Sequence, residues 1–508
     1  MTQNKVKIAF AFIFIAASLC FAFFGLSRPF WAVECCTVEI ADASWSGILE
    51  NLKTNAHSPP LYYFLLKLWM GLWGTGEAAA RGLSAFFYLF SIAAVFFLGK
   101  TLYDQKTALF CVFLFMVNPM AIQFAQFVRM YSLLGLLSIL STLFFIRQFY
   151  SGRASKMNLA ALVAVNIAGT FTHYWFFFLL LSQGMAYLLW FSKSSFKSFF
   201  AAMTASVTPF FALWTPVLLA QMANGGTSEF NRPGPYTLLN TLLLFWGGGK
   251  KAALLYFAFV ALGFIGLQGL KIKFRSFSEA KPFLLEKPAL ALLTLLTVSL
   301  GVPWIISQFY PIYEEAKYPI LVLFTAVMLV GSFLVKFGNR FLVFFFCSAL
   351  FLAASVGFIH GRIRPPADSP RAVTGYLLEQ AGPRDIVVFA TNSWGPAAYY
   401  LKRAGAIGRF TQFIFPAEQA QHPCWTNPGK WLNAKPALEM EAERLADRID
   451  SVMGSNGGKI WLLAGWLPDI NEIIKAKLDA RFQPVEEKFL GESYPPIRHL
   501  IHAYQKKM

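Results

Sequence analysis

Ionisable side chains are scarce in this chain, which makes the few at the edges of its apolar runs informative. Glu34, Glu39 and Asp42 offer carboxylates, the groups best suited to take a proton near neutral pH. His57 and His173 offer imidazoles, and Arg129 and Lys317 offer cations that can hold an anionic group. Tyr62, Tyr131 and Tyr318 stand beside them, and Glu314 and Glu315 lie just before Lys317. An ionisable residue at membrane depth is a functional site by default. What matters is whether the elements between these residues bring them to one place.

Of the 508 residues, 56% are hydrophobic, 17% aromatic and only 14% charged. A soluble chain carries about 25% charged residues, so most of this surface must face lipid. The net charge of +18 does not point to nucleic acid, because the cations form short runs between apolar stretches and not one basic face. Apolar runs at 8–26, 82–99, 107–122, 131–149, 158–171, 174–191, 198–221, 252–270, 288–309, 319–335 and 341–359 predict a polytopic α-helical membrane protein with about eleven transmembrane helices. The first run is longer than a signal-peptide core, so it is read as retained, with a cytoplasmic N-terminus. Alternate loops hold Lys100 and Lys106; Arg147, Arg153 and Lys156; Lys193 and Lys197; Lys271, Lys273 and Arg275; and Lys336 and Arg340. The positive-inside rule places all of these in the cytoplasm. Glu34, His57, Arg129, Tyr131, His173, Glu314, Glu315 and Lys317 then fall on the external side, as parts of one site built from carboxylates, imidazoles and cations. The first external loop runs over 28–80, and Pro59-Pro60 within it opens an interfacial helix over Leu61–Trp73. Asn118-Pro119 predicts a helix break.

Past residue 360 the composition changes. Arg362 to Pro366 reads as a linker, followed by a helix over Ala372–Ala381, strands over Asp385–Phe389 and Lys459–Leu463, and a helix over Asp469–Leu478. Strands alternating with helices predict a small α/β domain at 361–508, external like the site, beside a membrane domain at 1–360. It has no Gly-rich phosphate loop and no catalytic pair, so it reads as a lid or docking module that the chemistry does not need. The cysteines have no metal-site spacing. The adjacent Cys35 and Cys36 leave a bridge to Cys424 open in an oxidising compartment.

Several short motifs carry a resemblance. Phe30-Trp-Ala-Val-Glu34, His57-Ser-Pro-Pro-Leu-Tyr-Tyr63, Trp73-Gly-Thr-Gly-Glu77 with Arg81, Arg129-Met-Tyr-Ser-Leu133, Thr172-His-Tyr-Trp175, and Pro311 followed by Lys317-Tyr-Pro319 resemble, in order and on one side, the motifs of dolichyl-phosphate-mannose protein mannosyltransferase-like glycosyltransferases. These have the GT-C fold and include lipopolysaccharide aminoarabinose and galacturonic acid transferases. The resemblance covers residues 1–340. It implies a multi-pass enzyme of the bacterial cytoplasmic (inner) membrane. Such an enzyme moves a sugar from a polyprenyl-phosphate donor to a lipid, glycan or protein acceptor on the outer face, with inversion and with the C-terminal domain periplasmic or extracellular.

The chain departs from the family where it matters most, since Val33 stands where relatives carry the Asp taken as catalytic base. Glu34 is then the expected base, with Glu39, Asp42 or an inactive chain as the alternatives. The resemblance makes Arg129 and Lys317 stabilisers of the leaving phosphate and makes His57, Tyr62, Tyr131, His173 and Tyr318 substrate contacts. In some relatives the His-bearing motif supplies a metal ligand, so a divalent ion held by Glu34 and His57 is open. No other cofactor and no nucleic acid is implied. Plainer duties fit the same residues: Glu34 as a solvated loop acid, His57 as a helix cap, Arg129 snorkelling to headgroups, His173 as an interfacial anchor, and Lys317 pairing with Glu314. A transporter or lipid flippase is a rival function, but it would set polar groups at the bilayer midplane on broken helices, whereas these spans are clean in their middles.

Overall fold

The computed structural model of the protein describes residues 16, 19–54, 58–223, 231–247, 286–337, 369–420, 431, 433–453, 458–465, 467–490 and 499–507. Most of the expected span at 8–26, those at 252–270 and 341–359, and His57, Cys424 and the linker at 362–366 lie outside the described residues.

The segment read as the first external loop begins with α1 (Ala32–Asp42), α2 (Trp45–Thr54) and α3 (Leu61–Trp73), the last with the predicted bounds. Gly74 ends α3 at φ +85°, a left-handed conformation open to glycine without strain. Long apolar helices follow: α4 (Glu77–Leu102), α5 (Gln105–Met116) bent by 62° into α6 (Pro119–Ala125), α7 (Tyr131–Phe149), α8 (Lys156–Thr170), α9 (Phe176–Trp190) and α10 (Phe196–Ala223). Then come α11 (Thr237–Leu244), α12 (Lys287–Ile306), a 3-10 turn at Tyr318–Val322 and α13 (Leu323–Phe337). Among the described residues five helices are long and apolar enough to cross a membrane, or six with the bent pair taken as one span. The bend falls at the predicted Asn118-Pro119 break. Asn118 caps α6 by accepting from the Ala121 N–H and donates its own amide to the Phe245 carbonyl, so the freed backbone groups are met inside the protein, as lipid requires.

Lipid offers no hydrophobic drive between helices, so small residues and neutral polar contacts hold them together. A Cβ on Gly99 would lie 2.9 Å from the Ala108 Cα, which is why α4 and α5 can cross so closely. Buried Ser141, Asn166, Gln183 and Ser206 join α7, α8, α9 and α10 through bonds of 2.6, 2.8 and 3.2 Å. At one end of the bundle Lys336 pairs with Glu286 at 2.5 Å. The turns carrying Arg129, His173 and Tyr318 meet at the other.

The C-terminal domain is α/β, as its sequence predicts. Its sheet has the order β2-β1-β3-β5-β4, built from β1 (Ile386–Ala390), β2 (Thr411–Phe415), β3 (Ile460–Ala464), β4 (Phe482–Leu490) and β5 (His499–Lys506). The first three strands are parallel, and β5 runs antiparallel to β3 and β4. Alternation along β1 sends Val387 and Phe389 to α14 (Pro370–Gln380) and α15 (Trp394–Arg403). It sends Ile386 and Val388 to α16 (Lys435–Met453) and α17 (Pro468–Arg481). Both faces are covered, as parallel strands require. Cys35 and Cys36 are buried free thiols.

Candidate functional site

Glu34 is the N3 residue of α1, where its carboxylate meets the positive end of the helix. It is not a loop acid in water. It is fully buried against fully buried Arg81, one turn into α4. Arg81 Nε donates to Oε1 at 3.0 Å and Nη2 to Oε2 at 2.6 Å, a planar two-bond pair. The Val128 N–H also donates to Oε1, and the Trp31 N–H to Oε2, both at 3.0 Å. Arg81 spends its other donors on the Leu26, Arg28 and Pro29 carbonyls, and the Phe30 ring lies 4.9 Å from its guanidinium. Glu34 therefore joins the chain before α1, the second turn of α4 and the backbone just before Arg129. Arg28 lies beside this pair, its Nη2 donating to the Gln126 carbonyl at 3.2 Å. Burial, and then the Arg81 charge, pull the Arg28 pKa down to about 10, so it stays a cation at neutral pH.

Arg129 follows at the turn between α6 and α7. The half-buried guanidinium is ringed by the hydroxyls of Tyr63, Tyr131 and Tyr318. Its Nη1 lies 3.5 Å from both Thr37 Oγ1 and the Tyr63 hydroxyl, long for hydrogen bonds. None of the ion pairs among the described residues includes it. The wall continues through His173, 4.6 Å ring to ring from Tyr318, and through Trp175, 5.2 Å from Tyr318 and 5.3 Å from Tyr313. Burial, and then the Arg129 charge, lower the His173 pKa to about 3. Its Nδ1 accepts from the Trp175 N–H at 3.1 Å, which leaves the proton of the neutral ring on Nε2. His173 is thus an uncharged donor.

The other expected residues divide. Tyr131 and Tyr318 face Arg129. Tyr62 is spent elsewhere: its buried hydroxyl bonds Ser84 at 3.2 Å, and Ser84 in turn donates to the Phe127 carbonyl. Its neighbour Tyr63 is the tyrosine of α3 that reaches Arg129. Lys317 is exposed, and the pair with Glu314 is not formed by its side chain; only the Lys317 backbone N–H reaches the Glu314 carbonyl. Thr37 lies one turn after Val33, whereas Glu39 and Asp42 project about 240° and 180° round the helix from Val33 at 100° per residue. That turns both acids to the C-terminal domain, where Lys402 Nζ stands 3.8 and 3.6 Å away. Glu34 offers no open lone pair for a metal ion, and no group of three potential ligands occurs among the described residues. Sequence reasoning missed Thr37, Tyr63, Trp175 and Tyr313, and missed Arg81 as the partner of Glu34. The signal for the last was an arginine in the second turn of an apolar helix.

No protein-family model and no curated protein matches the chain. Solved structures do. ArnT from Cupriavidus metallidurans bound to undecaprenyl phosphate superposes with a TM-score of 0.61 at 14% identity, covering 97% of this chain and 98% of that one. The apo oligosaccharyltransferase of Archaeoglobus fulgidus gives 0.50 at 10% identity, covering 100% of this chain and 75% of the other. The chain has the GT-C fold. In this GT-C chain the segment of α1 to α3, the turn before α7, the turn before α9 and the turn before α13 meet around Arg129.

Proposed function

We propose that the protein is a membrane glycosyltransferase that takes a sugar from a polyprenyl-phosphate donor on the outer face of the cytoplasmic membrane. One observation carries this reading. Arg129 is a half-buried guanidinium among neutral hydroxyls, with no carboxylate partner among the described residues. A desolvated cation is costly unless an anion completes it. A lipid phosphate at the bilayer surface supplies that anion, and the ArnT structure of the same fold holds undecaprenyl phosphate. Arg28 and Arg81 against the single charge of Glu34 add a further positive excess nearby.

In the reaction the acceptor oxygen attacks the anomeric carbon. The bond from that carbon to the phosphate oxygen breaks, the phosphate leaves with the electron pair, held by Arg129, and the acceptor's hydroxyl proton passes to a phosphate oxygen. One such displacement inverts the anomeric centre. The aromatic wall of Tyr63, Tyr131, Trp175 and Tyr318 keeps bulk water from the bond being broken. We assign Glu34 to holding this framework. All its acceptor positions are in use, so the proton-taking role implied by the resemblance does not suit it. The acceptor belongs to the lipid, glycan or protein class.

Binding of undecaprenyl phosphate by the purified protein tests the reading. Arg129→Ala should weaken it about tenfold to a hundredfold, the worth of a charge-assisted bond of about 1.5–3 kcal/mol. Equal affinity in wild type and variant would remove Arg129 from the donor site. Val33, together with the saturated Glu34, favours a second reading, a GT-C scaffold that binds the lipid without turnover. Product formation from a polyprenyl-phosphate sugar separates the two.

A further inference from the structure

The C-terminal domain reads from its sequence as dispensable, yet α15 is built into the loop that carries the site. Tyr399 and Tyr400, 2% and 8% exposed, pack in the apolar core of the membrane half and not in either core of their own domain. The Tyr400 hydroxyl accepts from the Phe30 N–H at 2.9 Å and donates to Glu77 Oε1 at 3.2 Å. Phe30 directly precedes Trp31, the N-cap of α1, and its ring lies against Arg81. Glu77 lies one turn before Arg81 on α4. One hydroxyl thus ties together the two chain segments that the Glu34–Arg81 pair joins, from the side opposite the Val33 and Thr37 face of α1. Tyr399 makes a different bond, to the Thr75 carbonyl at 2.9 Å. Lys402, half-exposed near Glu39 and Asp42, forms a rim contact of the kind that contributes little.

We propose that Tyr400 is a positioning residue of the transfer site, through which the C-terminal domain sets the start of α1 and with it the Val33–Thr37 face opposite Arg129. The proposal rests on the glycosyl-transfer reading for its rate effect but not for its structural effect. Without the hydroxyl, the Phe30 N–H loses its acceptor, and the first turn of α1 is held on one side only.

The test uses the full-length protein in detergent or nanodiscs, with Tyr400→Phe compared with Tyr399→Phe and Lys402→Gln. Hydrogen exchange over 28–38 should speed up in Tyr400→Phe alone. The turnover rate from a polyprenyl-phosphate sugar should fall about tenfold, as for loss of a hydrogen bond to a charged group. Undecaprenyl phosphate affinity should stay within about twofold, because Arg129 keeps its own support from Glu34. A merely structural role would lower the unfolding midpoints of Tyr399→Phe and Tyr400→Phe alike and leave both rates at wild type, which overturns the proposal. Wild-type protein without turnover would refute glycosyl transfer, and exchange over 28–38 then decides alone: faster exchange in Tyr400→Phe upholds the tie and unchanged exchange sinks it.

Discussion

Replacing Glu34 by glutamine separates a framework acid from a general base. The glutamine carbonyl can still accept from Arg81 Nε and the Val128 N–H, but its NH₂ then faces Arg81 Nη2 and the Trp31 N–H, donor against donor. Arg81 is left as a fully buried cation facing neutral acceptors, the glutamine carbonyl and the carbonyls of 26, 28 and 29. Breaking a buried pair from one side costs about 3–5 kcal/mol. Glu34→Gln should therefore lower the unfolding free energy by that amount, measured by denaturant unfolding in mixed micelles with tryptophan fluorescence. It should also weaken undecaprenyl phosphate binding, because Val128 is held by the same carboxylate and Arg129 follows it. The double variant Glu34→Leu with Arg81→Met removes both charges and should recover most of the lost stability, but not the binding. A Glu34→Gln protein with wild-type stability and wild-type phosphate affinity but no turnover would refute this reasoning and restore Glu34 as the base.

Arg129→Lys should regain only part of the binding lost in Arg129→Ala, because an ammonium lacks the planar fork; full recovery in a binding isotherm would show that charge alone matters. His173 has a folded pKa of about 3, well below its unfolded value. It is neutral when folded but charged when unfolded below pH 6.5, so stability is present above that pH and is lost as the pH falls toward 3. Wild type should lose about 2 kcal/mol between pH 6.5 and 5 through this group. His173→Asn should flatten that slope, and an unchanged slope would place the titration elsewhere. Val33→Asp adds a carboxylate one turn from Thr37, on the side of α1 that faces Arg129; if the acceptor is a hydroxyl, turnover should rise by up to about a hundredfold. A rate no higher than wild type would show that the missing acid does not limit this protein.

The sequence made the helical half legible because the signals there are long. Apolar runs, alternating cationic loops and the Asn118-Pro119 break are each fixed by local physics, and the one-sided distribution of Arg129, His173 and Tyr318 follows from them. α3 was legible to the residue because Pro59-Pro60 and Gly74 mark its ends. The assignment of side chains within the site was less legible. Tyr62 and Tyr63 are adjacent, and only the packing of α3 on α4 decides which hydroxyl meets Ser84 and which meets Arg129. The Glu34–Arg81 pair spans 47 positions, and no local pattern encodes it. The hold of α15 on the start of α1 spans 370, and no motif in the sequence marks its tyrosines.

The contrast between fully buried Arg81 and half-buried Arg129 explains how the framework stands with a valine at position 33. Arg81 is neutralised by Glu34 and satisfied by carbonyls, so its surroundings are complete without a ligand. Arg129 meets neutral hydroxyls and no carboxylate among the described residues, so its surroundings are not. Stability acts on the first arrangement, because every donor there has an internal acceptor and any loss costs folding energy. It does not act on position 33, whose side chain enters none of those bonds; only the Val33 carbonyl is used, by the Thr37 hydroxyl at 2.8 Å. An aspartate or a valine there leaves the Glu34 network intact. The fold therefore persists whether or not a base is present, and Arg129, with no carboxylate partner among the described residues, is the feature that the proposed anionic ligand would complete.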